Sequence, residues 1–258
     1  MKVFYMNGAG NDFMILDARG QDLDFEMLSQ KLCRLTGADG FMALDNSDKA
    51  DFKLHFYNSD GSRGEMCGNG ARCICRYAFE QGIAGENMVL EADAGLVFGQ
   101  RLSENNYRIT LNIPSVLDLS RKGEVAYVEL GEPGLPHAVM EYQGDLWADA
   151  EMLRPRMRAL RRDPAFPKGA NVDFYQWIGK DSVRILTFER GVEDFTLACG
   201  TGTGSVASVI YRKGQLPGGV LFACNRGGLL KASVSGTESE ISSILLEGPT
   251  EVGKVFNL

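Results

Sequence analysis

Histidine is nearly missing from this chain: its 258 residues include two, His55 and His137, beside six scattered cysteines. A metal centre needs clustered Cys and His ligands, and Cys73-x-Cys75 is the only close cysteine pair, so no metal is expected. A basic excess is missing too. Lys and Arg number 27 against 34 Asp and Glu, for a net charge of -7, which excludes a protein that binds by neutralising nucleic-acid phosphates. No apolar run approaches the length of a membrane span, and the N-terminal MKVFYMNGAGNDF lacks the apolar stretch of a signal peptide. The expectation is a soluble cytoplasmic protein with a small-molecule partner, and no nucleic-acid or membrane partner. With 44% hydrophobic residues, the chain can bury one large core or two domains of roughly 110–140 residues. A chain of that size needs no disulfide staples, so the cysteines are expected as reduced thiols.

What is present is a chain of short strand-like runs. VFYM (3–6), FMIL (13–16), FKLHFY (52–57), YRITLNI (107–113) and EVAYVEL (124–130) have the composition of strands. So do NVDFYQW (171–177), VRILTF (183–188), GVLFAC (219–224) and EVGKVFNL (251–258). Four stretches read as helices. FEMLSQKLCRL (25–35) puts Leu28, Leu32 and Leu35 on one face, and ARCICRYAFEQG (71–82) ends on Gly82 as a cap. AEMLRPRMRALRR (150–162) is amphipathic and basic with Pro155 near its start, and GSVASVIYRKG (204–214) ends on Gly214. The fold class expected is α/β (α+β), rich in strands.

The chain also repeats itself. CGNG begins at Cys67 and CGTG at Cys199, 132 positions on, close to half the length. Each cysteine follows an aromatic strand that ends on a polar residue, Asn58 or Glu189, and GNDFMILD (10–17) weakly echoes GLPHAVME (134–141). Two domains are expected: residues 1–114, joined by a last strand at 251–258, and residues 115–250. PSVLDLSRKG (114–123) reads as a polar linker between them.

Glycines one and three positions after each cysteine let the backbone turn tightly and approach a ligand. The helix that follows aims its N–H groups and positive dipole end at whatever sits there. That geometry favours an anion: a bound carboxylate, or the thiolate of the cysteine itself, whose pKa falls at a helix N-terminus. Two such ends facing each other would hold one small anion between two thiols, the arrangement needed to take a proton from a carbon and return one from the opposite side. Inversion at a Cα is the predicted reaction. A nucleotide cradle is disfavoured, because GTGTGSVAS lacks the phosphate-binding Lys and its glycine spacing misses the dinucleotide fingerprint. One such turn alone reads as a helix cap, whereas two in register read as a site. A Cys67–Cys199 disulfide is set aside as a working state on the same compartment argument.

On these residues the chain resembles the diaminopimelate epimerase family, cofactor-independent amino-acid epimerases and racemases with two opposed cysteines. The resemblance runs over nearly the whole length: GAGNDF (8–13), FYNSDGSRGEMCGNGARC (56–73), GLPHAV (134–139), NVDF (171–174) and FERGVEDFTLACGTG (188–202). It implies two pseudo-symmetric domains, each a curved β-sheet wrapped around a central helix, with the active site in the cleft between them. It also implies that no cofactor is needed, and that the protein is a homodimer. Cys67 and Cys199 would be the two acid/base thiols, and the N–H groups of Gly68, Asn69, Gly200 and Thr201 would hold the substrate's α-carboxylate. Asn11, His137 and Glu189 fall at positions near the substrate, Glu189 toward its α-amino group. Asn58, Asn171 and Arg190 would grip its distal amino-acid end, Arg190 through a bidentate carboxylate contact. Outside these motifs, Glu189 and Arg190 read as an exposed strand-end pair, Asn58 and Asn171 as turn caps, and both histidines as core residues.

Two positions depart from the family pattern. Leu135 stands where an Asn usually helps to bind the distal end, and Phe195 where a Glu is usual. An unsatisfied buried polar group costs about 1–3 kcal/mol. LL- to meso-diaminopimelate epimerisation, in lysine and peptidoglycan precursor synthesis, is the expected activity. The alternative is a racemase of another amino acid such as histidine, and a third reading is a non-catalytic redox or ligand-binding protein on the same scaffold.

Overall fold

A computed structural model describes residues 1–64, 66–237 and 239–257. The chain divides into two compact units. The first takes Met1–Thr110 and the segment from Glu247 on, and the second takes Leu111–Leu246. In the first, β1 (Lys2–Gly8), β2 (Asn11–Asp17), α1 (Phe25–Thr36), β3 (Gly40–Asp45), β4 (Phe52–Asn58), β5 (Arg63–Gly64), α2 (Gly68–Glu80), β6 (Asn87–Ala92), β7 (Gly95–Arg101) and β8 (Asn106–Leu111) follow one another. Then come β9 (Pro114–Lys122), β10 (Val125–Leu130), β11 (Leu135–Glu141), α3 (Ala150–Arg161), β12 (Asn171–Trp177), β13 (Ser182–Glu189) and β14 (Asp194–Thr196). After these follow α4 (Gly200–Arg212), β15 (Val220–Asn225), β16 (Gly228–Gly236), β17 (Ile241–Pro249) and β18 (Glu251–Asn257), so that Leu258 of the expected last strand lies outside the described residues.

Both units have the same topology. In the first, β18–β1 and β1–β2 are antiparallel, β2–β3 parallel, β3–β4 antiparallel, β4–β6 parallel and β6–β7 antiparallel, with the short β5 on β4. In the second, β9–β10 and β10–β11 are antiparallel, β11–β12 parallel, β12–β13 antiparallel, β13–β15 parallel and β15–β16 antiparallel, with β14 on β13. Parallel neighbours need a crossover, which each unit supplies with its two helices. Within its own unit, α2 packs on β1, β2, β3 and β7, and α4 on β9, β10, β11, β12, β15 and β16. A helix enclosed by strands must be apolar or small-sided, or pair its polar groups, all round. Gly68 to Ala78 of α2 are all buried, as are Gly202 to Ile210 of α4.

Several elements differ from the sequence expectation. PSVLDLSRKG is not a linker: residues 114–122 form β9, an antiparallel partner of β10, none of whose residues is buried. Strands β3, β5, β6, β7, β11, β14, β16 and β17 were not among the expected strands; glycines and charges in GLVFGQR and GLLKASVSG mask the alternation of β7 and β16. In α1 the buried face is Ser29, Leu32 and Cys33, and Leu35 is 72% exposed. Ser29 wins its place by donating Oγ–H to the carbonyl of Asn58 at 2.5 Å. Pro155 is the sixth residue of α3, past its first turn, so the carbonyl of Glu151 lacks its usual i+4 donor.

Candidate active site

The two cysteine turns are close geometric copies. Cys67 caps α2 in an extended conformation (φ -125°, ψ 117°), and Cys199 caps α4 likewise (φ -121°, ψ 115°). The first helical hydrogen bonds run from Ala71 N–H to the Cys67 carbonyl at 2.8 Å and from Thr203 N–H to the Cys199 carbonyl at 2.9 Å. In each, the first turn presents N–H groups that have no acceptor within the helix, at Gly68 and Asn69 and at Gly200 and Thr201. Glycine at the third position is a packing requirement: a Cβ on Gly70 would overlap Met42 Cε, and one on Gly202 would overlap a carboxylate oxygen of Asp173.

Around the first turn, a directed chain of hydrogen bonds fixes the side chains. The fully buried Arg72 donates Nη1–H to the Gly68 carbonyl (3.2 Å) and Nη2–H to Asn69 Oδ1 (2.9 Å). Asn69 Nδ2 donates to Asn11 Oδ1 at 2.7 Å, Asn11 Nδ2 to Asp39 Oδ2 at 3.3 Å, and Asp12 N–H to the same oxygen at 2.9 Å. Every amide is thereby oriented, because the series begins at a pure donor and ends at a pure acceptor. Burial lowers the Arg72 pKa to about 10, against the opposing effect of the Cys73, Cys67 and Cys75 thiols beside it. Asn58 is exposed at the end of β4, where Nδ2 donates to Ser62 Oγ at 3.0 Å.

The second turn rests on a different set. Gly202 N–H donates to Cys199 Sγ at 3.3 Å, and Thr201 Oγ1 lies 3.4 Å from the same sulfur. His137 and Asp173 are both fully buried, with His137 Nδ1 2.7 Å from Asp173 Oδ2, and Thr187 Oγ1 donates to Asp173 Oδ1 at 2.7 Å. Arg190 N–H donates to Asn171 Oδ1 (2.7 Å), which turns Asn171 Nδ2 toward His137 Nε2 at 3.5 Å. The carboxylate at Nδ1 places a proton on that nitrogen, and the Asn171 N–H faces Nε2 as a donor. The Arg190 guanidinium donates Nη1–H to the Lys168 carbonyl at 3.1 Å.

The Cys199 thiol reverses one expectation. A helix N-terminus lowers a cysteine pKa, yet that of Cys199 is pushed well above its usual value. Burial is the largest cause, followed by the negative charges of Glu189 and Asp173, and together these outweigh the hydrogen bonds from Thr201 and Gly202. Leu135 begins β11 opposite Leu130, partly buried. Phe195 packs edge-on to Phe188 at 5.8 Å, with the Arg154 guanidinium 4.3 Å and that of Arg226 5.8 Å from its ring centre. His55 pairs with Asp45 at 3.4 Å beside the Phe25 ring.

Within the first unit, then, Asn11 and Asn69 are in direct contact; within the second, His137, Asn171 and Arg190 form one chain and Cys199 and Thr201 another. Asp173, Thr187 and Arg72 went unmarked in the sequence. Asp173 carried a signal: it is a lone charge inside NVDFYQW, a run otherwise fit for a buried strand. No disulfide joins the cysteines, and no group of His, Cys, Asp and Glu suited to a metal occurs among the described residues. No helix among them is long and apolar enough to cross a membrane.

Residues 3–111 match the family model described as diaminopimelate epimerase. The chain is 36% identical to the diaminopimelate epimerase of Aquifex aeolicus over 236 residues, 83% of this chain and 82% of that one. It is 34% identical to that of Chlorobaculum tepidum, covering 95% and 96%. Among solved structures, a phenazine biosynthesis protein of the PhzF family from Bacillus anthracis superposes with a TM-score of 0.73 at 16% identity, over 99% of this chain and 98% of that one. A probable proline racemase from Agrobacterium radiobacter gives 0.72 at 16%, over 100% and 92%. Those two likenesses, at such low identity, concern the fold, and the mixed α/β architecture expected from the sequence is the one they share.

Proposed function

The chain belongs to the diaminopimelate epimerase family, and from that premise we propose that this amino-acid epimerase converts LL- to meso-diaminopimelate with two cysteines and no cofactor. One thiolate takes the proton from Cα, and the other thiol delivers its proton to the opposite face. The roles exchange for the return reaction. The negative charge left on the substrate is met by the first-turn N–H groups of Gly68, Asn69, Gly200 and Thr201, where the helix dipoles act in the same sense. Asn11, His137 and Glu189 are assigned to the reacting end of the substrate, and Asn58, Asn171 and Arg190 to the distal one. The observation that carries the proposal is the pair of cysteine-capped helix ends with matching dihedral angles.

A distal carboxylate on the substrate is supported by Arg190, whose backbone N–H orients Asn171 and so ties two of the assigned positions together. Leu135 is the observation that favours a second reading, a racemase of a different amino acid, since its side chain offers no hydrogen bond. Proton NMR in deuterated, reducing buffer tests both. LL-diaminopimelate should lose its α-proton signal and yield the meso isomer, and Cys67→Ser and Cys199→Ser should each lower turnover by about 10³-fold with the melting curve unchanged. Exchange of histidine or another monocarboxylic amino acid, with none for diaminopimelate, would reassign the substrate. A Cys→Ser variant that kept near-full activity would refute the two-thiol chemistry.

A further inference from the structure

The repeat is faithful at its helix ends and unfaithful just beneath them. Register identifies the equivalent positions. His137 pairs with Asn171 across β11 and β12 as Phe13 pairs with Gly40 across β2 and β3, and Asp173 pairs with Thr187 as Met42 pairs with Phe56. The layer under the first turn is therefore Phe13, Met42 and Phe56. It is an apolar set, with the two phenylalanine rings edge-on at 6.3 Å and Met42 Cε and Phe13 Cζ against Gly70. The layer under the second turn is His137, Asp173 and Thr187, joined by two hydrogen bonds of 2.7 Å with Asp173 against Gly202. The buried cation is reversed as well, since Arg72 of α2 has Gly204 as its counterpart in α4. One turn thus has a buried positive charge near its thiol, and the other a buried carboxylate.

We propose that Asp173 is a positioning residue peculiar to the second cysteine turn. Its carboxylate orients the His137 imidazole and sets a fixed negative charge under Cys199, so that the two thiols begin the reaction in different protonation states, Cys199 as the thiol. The claim deepens the two-cysteine reading and rests on it for the reacting groups. Two acceptors and two donors meet at Asp173: Thr187 Oγ–H and His137 Nδ1–H each occupy one oxygen. The carboxylate cannot turn away from Gly202 without breaking a buried bond. Among the described residues, burial of the thiol, then Glu189 on β13 and Asp173 on β12, oppose the thiolate, while Thr201 Oγ1 and Gly202 N–H on α4 favour it, and the opposing side prevails.

The test reads each thiol separately. Iodoacetamide labelling as a function of pH, with peptide mapping to separate the other cysteines, is run on Cys67→Ser to follow Cys199 and on Cys199→Ser to follow Cys67. The midpoint for Cys199 should lie above that for Cys67, and adding Asp173→Asn should bring the Cys199 midpoint down by about one pH unit. Equal midpoints in the two backgrounds, or a Cys199 midpoint unmoved by Asp173→Asn, would overturn the proposal. Because the chain has only two histidines, ¹⁵N-histidine NMR gives a second readout: His137 should be the Nδ1–H tautomer in the otherwise unaltered protein. Finding it as Nε2–H refutes the orienting role, even if Asp173→Asn does not fold. Labelling requires no turnover, so a failure of the epimerase reading would show in the deuterium exchange experiment and leave this comparison intact.

Discussion

Gly70 and Gly202 occupy the same place in the repeat but do not tolerate the same change. A methyl group at Gly70 would meet the free end of Met42, which can swing aside at modest cost within an apolar layer. At Gly202 it would meet Asp173, whose oxygens are held by Thr187 and His137. Gly202→Ala should therefore cost about 2–3 kcal/mol in urea unfolding and Gly70→Ala clearly less. The reverse order would show that the carboxylate is free to move. At this scale the sequence was legible where chemistry needs a rare pattern. Cys67, Cys199 and their glycines stood out because two in-register copies are improbable by chance. Asp173, Thr187 and Arg72 did not, because a buried polar residue declares itself only through partners that are distant in sequence: Asp173 meets His137 across 36 residues. The sign of the Cys199 shift was out of reach for the same reason, since its burial, and the approach of Glu189 and Asp173 from β13 and β12, come from segments distant in sequence.

Helices α2 and α4 stop as they start, in the same way. Ile83 N–H reaches the Ala78 carbonyl at 2.8 Å and Gly82 N–H the Phe79 carbonyl at 3.0 Å; Gln215 reaches Ile210 at 3.1 Å and Gly214 reaches Tyr211 at 2.9 Å. Gly82 and Gly214 take the left-handed conformation, φ 68° and 70°, that this double closure requires. Nothing lies within 4 Å of a Cβ built on either. Gly82→Ala and Gly214→Ala should thus cost the same, about 1 kcal/mol each by thermal or chemical unfolding, from backbone strain alone. A large difference between them would mean that the two helix ends are not equivalent. Gly82 and Gly214 were readable in the sequence as stops, and the aromatic and β-branched runs as strands. Elements were missed where environment overrides composition. The polar β9 buries none of its residues, and the exposed Leu35 of α1 lost its expected burial to Ser29, whose hydroxyl found a carbonyl.

At the scale of the whole molecule, the first unit is assembled from both ends of the described chain. β18 lies antiparallel to β1, with Val3 opposite Phe256 and Met6 opposite Val252. Further contacts bind the returning segment to the same unit: Arg108 pairs with Glu247 at 2.6 Å, and Arg76 Nη1–H reaches the Thr250 carbonyl at 2.7 Å. Ending the chain after Thr250 keeps both of those contacts and removes only the strand, leaving β1 with an unpaired edge beside the buried Val3 and Met6. The truncated protein should melt well below either helix-cap variant, and one that melted with the parent would show β18 to be an ornament of the fold. The second unit, Leu111–Leu246, takes no residue from beyond its own span. On the ribosome this reverses the usual order, in which the N-terminal part folds first. The unit begun first is completed last, since β1 must wait through synthesis of the entire second unit for β18.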